Sequence, residues 1–537
     1  MKRIIFSSAA LTAFGLLGMP TWAQSAQPPA ATAAVRDSGA FDRARKAYKD
    51  GDLATARTEM EKAILTMPED GDTNAWLGFV LVKSSDYAKA IPYLEKALTK
   101  KPDSPETMTN LGNALLLKPE RAPDDTDRAI TLFEKVAEKR PDSAEAQFNL
   151  GFACARKKDF ARAAVAYRKS ADLKPSDGQT FINLGIALQN LGRLDQAAQA
   201  MRSGIANNTG DKAAHAALGS IEVQRRNYAG AVPVLETARK LDPNNYGILV
   251  NLAFAYSNTN RSAEGATVYG LAADLAAGGA EGAPAGDVTA RYNQGVLLAK
   301  TGNADGALSA YEKVLALNPR YLDALLNAGY LHFNKGSFAE AATRFKAATE
   351  LDATSHVAWL NLGTACLKQQ DTNGAITAWQ KAVALDPSDY DSRDYLASAL
   401  QSQGREDEAL KVYTEMAQLK PSEATPQLAI GGAYMRANNL EAAFKAFQTA
   451  IKADPSSAQA HNNLGVVYER RGMLNDAMVS YKKALQLNPQ HAEAKANLLR
   501  FGKLGDVPTP KPAPGAKPST KPTTKPVAKP VKKIGGG

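Results

Sequence analysis

The chain is 537 residues long, 44% hydrophobic and 22% charged, with two cysteines and a net charge of +10. Two cysteines exclude a disulfide framework, so packing alone must hold the structure together. The charge sits at the ends: Lys2 and Arg3 carry +2 and residues 507–537 carry +7, leaving +1 between them, which argues against a nucleic-acid partner.

Residues 1–23 join that basic start to an apolar stretch over 4–19 and close on Thr21, Trp22 and Ala23. This is the pattern of a secretory leader cleaved after Ala23. The apolar stretch is short of the ~20 residues a bilayer span needs, so no transmembrane anchor is expected after cleavage. The expected location is a bacterial periplasm or the outside of the cell. Residues 24–36, QSAQPPAATAAVR, have no apolar period and are expected to be disordered.

From residue 37 a small residue recurs every 34 positions: Ala44, Gly78, Gly112, Gly151, Gly185, Gly219, Ala253, Gly295, Gly329, Gly363, Ala397, Gly431 and Gly465, with two gaps of 39 and 42. A second row, mostly alanine, follows 12 residues behind, as Ala90, Ala163, Ala197 and Ala375 show. A third row of prolines includes Pro68, Pro102, Pro141, Pro387 and Pro489. Between them the apolar spacing is helical: Trp359, Leu362, Gly363 and Cys366 fall at i, i+3, i+4 and i+7, and Ala375, Trp379 and Ala382 repeat the stripe. Small residues let two helices approach, and proline is expected to end the second helix. A fixed period of this length predicts one helical hairpin stacked thirteen times, an all-α solenoid.

The segment VAWLNLGTACLKQQDTNGAITAWQKAVALDP, residues 357–387, resembles the tetratricopeptide repeat, and the resemblance runs over roughly 37–502. It implies a right-handed superhelix of about thirteen repeats, seven over 37–277 and six over 288–491. Thr209, Ala277 and Ala353 depart from it at the closing proline. Extra residues lie near 117–125 and in the Gly/Ala-rich stretch 278–287, the expected hinge. Residues 492–505 are expected to form a capping helix. Residues 506–537, rich in lysine and proline, are expected to be extended and disordered. This tail could present cations to an anionic envelope surface, or be an inert solubilising extension.

No catalytic residues, metal ligands or cofactor are expected. The five histidines, His215, His332, His356, His461 and His491, fall in different units without metal-ligand spacing. Cys154 and Cys366 occupy the same inward position several units apart, too far for a disulfide. Carboxylates read as solvated or helix-capping residues.

One polar row stands out. Asn110, Asn149, Asn183, Asn251, Asn293, Asn327, Asn361 and Asn463 each precede the small residue by two, while Trp76, Ala217, Tyr395 and Ala429 fill that place elsewhere. Resemblance to superhelical arrays such as those of O-GlcNAc transferases and kinesin light chains implies that the row lines a concave face and binds peptide. Two roles stand for it: contact with a threaded segment, or bonds to neighbouring helices and water. Seven residues further on, Lys83, Arg156, Lys300, Lys368, Arg436 and Arg470 are either groove charges or solvated helix ends. The expected function is a non-enzymatic envelope scaffold for protein or peptide segments. Alternatives are a structural part of a polysaccharide-export or outer-membrane assembly machine, and a targeting module for a separate glycosyltransferase.

Overall fold

The computed structural model describes residues 39–500 except 281 and 285, together with 28 and 29. The leader, most of the run 24–36, the end of the expected capping segment and the Lys/Pro tail therefore lie outside the described residues. These comprise 27 helices and no strands. The described residues are all-α, an array of helical hairpins stacked in chain order.

The helices pair in chain order, a first helix with a second. The first four pairs are α1 (Gly39–Lys49) and α2 (Leu53–Thr66), α3 (Gly71–Lys83) and α4 (Tyr87–Lys100), α5 (Pro105–Leu117) and α6 (Asp125–Lys139), α7 (Ala144–Arg156) and α8 (Phe160–Leu173). The next three are α9 (Gly178–Asn190) and α10 (Leu194–Asn207), α11 (Lys212–Gln224) and α12 (Tyr228–Leu241), α13 (Tyr246–Ser257) and α14 (Ser262–Ala277). The eighth to tenth are α15 (Thr289–Lys300) and α16 (Ala304–Leu317), α17 (Leu322–Asn334) and α18 (Phe338–Leu351), α19 (His356–Lys368) and α20 (Thr372–Leu385). The last three are α21 (Tyr390–Ser402) and α22 (Glu406–Leu419), α23 (Ala424–Arg436) and α24 (Leu440–Ala453), α25 (Ala458–Arg470) and α26 (Leu474–Leu487), followed by α27 (Ala492–Arg500).

The chain divides after Gly302 into two compact units, between α15 and α16. In the first unit the stretch 278–287 is tied to its flanks. The Tyr246 hydroxyl donates to Asp287 at 2.8 Å, and Arg291 on α15 pairs with Asp274 on α14. The division thus falls beyond this glycine-rich insertion.

The small-residue row is explained by what faces it. A Cβ on Gly78 would lie 2.5 Å from Leu94, one on Gly151 2.8 Å from Tyr167, one on Gly329 2.7 Å from Phe345 and one on Gly363 2.5 Å from Trp379. Each second helix drives one large side chain into the notch its own first helix leaves, and these side chains are fully buried. Where the row has alanine instead, at Ala44, Ala253 and Ala397, the facing positions carry Met60, Tyr269 and Tyr413, likewise buried. Helix contact at this distance leaves room for nothing larger than alanine in the row.

The turn inside every pair but the third contains a left-handed residue. It is glycine at Gly51, Gly192, Gly302, Gly336, Gly404 and Gly472, but Ser85, Lys158, Arg226, Asn260, Gln370 and Asn438 hold the same conformation with a side chain. This is the usual ending of a helix, and glycine is favoured there because it has no Cβ to clash. The third pair lacks such a turn and uses the insertion instead. There the buried Asp125 carboxylate accepts from the Ala122 N–H at 2.5 Å and pairs with Lys118 at 2.6 Å. Burial alone would raise the Asp125 pKa, but Lys118 and the Ala122 N–H outweigh it and hold the carboxyl below its ordinary value.

Many turn carboxylates and amides are caps. Asp70, Ser104, Ser143, Asp211, Ser355 and Ser457 accept from the N–H three residues on at the start of first helices; Asp159, Asn227 and Asp371 do so on second helices.

The closing proline stands just beyond the second helix wherever it occurs, and the three units without it differ among themselves. Second helices end two residues before it, as at Leu173 ahead of Pro175. But α10 and α18 end at the equivalent residues, Asn207 and Leu351, although Thr209 and Ala353 stand in its place. Only at Ala277 does the helix run on, and α14 is 16 residues long where its neighbours have 14. A stop at this position therefore does not require the proline ring in every unit.

Candidate functional site

The asparagine row lies two residues before the small residue on α5, α7, α9, α13, α15, α17, α19 and α25. All but one of its members are buried: Asn110 and Asn183 are 0% exposed, and Asn327 is the most open of the seven at 8%. Asn463 is half-buried. The row is therefore packed away from solvent and not on an open surface.

Several members have partners in their own chain. Asn183 accepts from Gln179 one turn earlier at 3.1 Å, and Asn463 accepts from Gln459 at 2.9 Å. Neighbouring Asn462 accepts from Asn497 on α27 at 3.0 Å, which carries the carboxamide network into the terminal helix. Asn293 lies beside the Tyr269 hydroxyl, whose pKa is pushed up by burial and only partly drawn back by that contact. Asn149 is different: neither its Oδ1 nor its Nδ2 has a hydrogen-bond partner, and it is 1% exposed.

The six cations behind the row are not equivalent. Arg436 pairs with Glu406 at 2.7 Å and Arg470 donates to the Met435 carbonyl at 3.2 Å, so both brace the preceding hairpin. Lys300 and Lys368 are exposed. Arg156 stacks on Phe152 at 5.8 Å. Lys83 is half-buried, and desolvation lowers its pKa against the opposing field of Glu145.

Sequence reasoning passed over four relevant side chains. Asn113, three residues after Asn110 on α5, is 1% exposed with an unpartnered Oδ1. Arg45 on α1 lies 5.5 Å from the centre of the Trp76 ring. Gln179 and Gln459 sit at i−4 from ladder asparagines, a spacing that signals contact on a helix. The Arg45 contact crosses two hairpins and left no local signal.

The histidines have structural partners. His215 and His461 reach the loop carbonyls of Thr209 and Pro455 at 3.0 and 3.3 Å, as Trp359 reaches that of Ala353 at 2.9 Å. His332 lies 3.5 Å from Glu312, His356 bonds Ser392 at 3.1 Å, and His491 bonds Gln459 at 3.1 Å. Cys154 is buried and Cys366 half-buried, both free thiols, and burial pushes the Cys154 pKa up to about 11. Among the described residues no group of three or more His, Cys, Asp or Glu could hold a metal ion, and no helix is long and apolar enough to cross a membrane.

The tetratricopeptide-repeat family profile matches residues 41–105, 124–178 and 182–246. The profile of the C-terminal domain of cilia and flagella-associated protein 70 matches 263–500. No curated protein matches the chain. Among solved structures, Naa15/Naa10 bound to HypK-THB is similar at 16% identity, covering 87% of this chain and 79% of that one with a TM-score of 0.34. YrrB, described as a TPR protein with an unusual peptide-binding site, is similar at 24% identity over 39% of this chain and 91% of its own, with a TM-score of 0.26. MamA from Desulfovibrio magneticus RS-1 is similar at 22% identity over 32% and 97%, with a TM-score of 0.29. With the stacked hairpins, the small-residue notches and these family matches in agreement, the chain is a tetratricopeptide-repeat protein.

Proposed function

We propose that the protein is a non-enzymatic scaffold, exported to the periplasm or beyond, that holds protein or peptide segments along the first-helix faces. The observation that motivates this reading is the recurrence of a carboxamide at one position of eight first helices; seven of these are at most 8% exposed, so they meet a segment only where neighbouring hairpins part. A carboxamide offers an acceptor and two donors, and so can meet both sides of a peptide bond. Each such bond nets about 0.5–1.5 kcal/mol, so several in line hold an extended chain with little sequence preference. Export rests on the leader pattern of residues 1–23.

The test is to replace Asn251, Asn293, Asn327 and Asn361 together by alanine. Crosslinked partner recovery from cell envelopes is expected to fall at least fivefold while the helical circular dichroism is kept. Undiminished recovery would rule out the asparagine row as a binding element.

The seven lysines of 507–537 favour a second role, an electrostatic tether to an anionic envelope surface within an export or assembly machine. Deleting the tail should abolish salt-sensitive sedimentation with envelope membranes. Identical sedimentation at low and high salt, with and without the tail, removes the tether.

A further inference from the structure

First helices commonly begin on a side-chain cap. Asp70, Ser104, Asp211, Asn245, Ser355 and Asp389, for instance, each offer an oxygen to the N–H three residues on. The terminal helix α27 begins differently. His491 stands in the capping place, and the Ala494 N–H donates to its Nδ1 at 3.3 Å.

The other ring nitrogen shows which form of the imidazole does this. Nε2 lies 3.1 Å from Gln459 Oε1 on α25. Gln459 is oriented by its own amide, whose Nε2 donates to Asn463 at 2.9 Å and to the Glu493 carboxylate at 3.3 Å. A carboxylate only accepts, so Oε1 is the atom facing the ring, the proton sits on Nε2, and Nδ1 is bare and able to accept. The cap therefore needs the neutral ring. An imidazolium donates from both nitrogens and would set Nδ1–H against the Ala494 N–H, at a helix end that already disfavours a cation.

The surrounding charges are few. Glu493, two residues on, favours the charged ring, and Lys495 in the same helix opposes it. From α25 the facing groups Gln459 and Asn462 are neutral, and His461 is turned to the Pro455 carbonyl. Tyr481 on α26 and Arg500 on α27 both bond Glu469 of α25, at the opposite end of α27. Lys483 on α26 is exposed and bonded to Gln486. The cap matters because α27 has little else. It is nine residues long, too short to persist unaided, and buries two side chains, Ala494 and Leu498, in a cluster with Ala477, Tyr481, Ala484 and Leu485 of α26.

We propose that His491 is a pH-sensitive latch on α27. Neutral, it caps the helix and holds it over the end of hairpin 13; protonated, it releases the helix and uncovers the apolar side of α26. The docked state is complete above the range in which imidazole titrates, about pH 5–8, and is lost as the pH falls through it. This goes beyond the scaffold reading and does not depend on it.

The experiment is native-state hydrogen exchange of the full chain at about pH 7.5 and about pH 5.5, corrected for the intrinsic pH dependence of exchange. Protection of the α27 amides is expected to fall about fivefold at the lower pH, the size of one lost cap, while α9, which contains no histidine, keeps its protection. His491→Asn supplies a cap oxygen at either pH, so this variant should hold α27 equally at both. His491→Ala should leave α27 weakly protected at both. The proposal is overturned if α27 in the parent is equally protected at the two pH values, if His491→Asn loses protection as the parent does, or if His491→Ala matches the parent at the higher pH.

Discussion

Trp379→Ala is expected to destabilise the tenth hairpin by about 3–5 kcal/mol, the range for deleting a buried tryptophan. Trp379 is fully buried on α20, fills the notch at Gly363 on α19, and donates its indole N–H to the Leu360 carbonyl at 3.2 Å. Its ring also lies 5.4 Å from that of Tyr395 on α21, so the loss reaches the next hairpin. In a stack of repeats the effect is local first, because each unit contacts only its neighbours. Native-state hydrogen exchange is therefore the right measurement. Amides of α19, α20 and α21 should lose two to three and a half orders of magnitude of protection, about 1.4 kcal/mol per tenfold. Amides of α25 and α26 should keep theirs for as long as the array stays folded. Unchanged protection in α19 and α20 would contradict the packing described here.

The second large effect is electrostatic. Glu222 on α11 is 1% exposed, and its carboxylate is satisfied by three donors: Arg202 on α10, Arg225 at 2.7 Å and Asn227 at 2.8 Å. Asn227 also caps α12 through the Gly230 N–H. Removing the carboxylate leaves these donors facing a cavity, so Glu222→Ala should cost roughly 1–3 kcal/mol. Arg225 keeps Asp195 at 2.6 Å and Arg202 is more than half exposed, which keeps the loss from being larger. Glu222→Gln retains one acceptor and should cost less. The check is urea unfolding of a fragment-free full chain followed by the circular dichroism of its first transition. A Glu222→Ala midpoint equal to the parent's would show that the three bonds contribute nothing net.

The fold was legible because its strongest constraint is local and periodic. Gly78, Gly112 and Gly151 must be small since Leu94, Phe133 and Tyr167 occupy the space a Cβ would need, and a contact repeated in every hairpin writes itself into the sequence as a period. The stop of the second helix was legible from proline, although the stop does not depend on proline in every unit. Proline marks the place, but Asn207 and Leu351 end their helices at the equivalent residue without it.

The site was legible only in outline. The spacing placed the asparagines on one face of the first helices. It gave no measure of how closely successive hairpins approach, and so did not show that Asn110, Asn183 and Asn361 are buried. Pairings within a helix, such as Gln179 with Asn183, follow from i, i+4 geometry. Arg45 over Trp76 joins residues of different hairpins, and only coordinates reveal it.

The central claim, that segments of other proteins lie along the first helices, is tested most directly by a photoreactive residue introduced at Ile186 on α9 or Tyr330 on α17, against Arg168 on α8 or Thr377 on α20. The first two are half-buried positions directly after the small residue, and the last two are exposed on second helices. Irradiation of intact cells should give discrete protein adducts from Ile186 and Tyr330 and none from Arg168 and Thr377. Adducts from the second-helix positions alone would contradict the account.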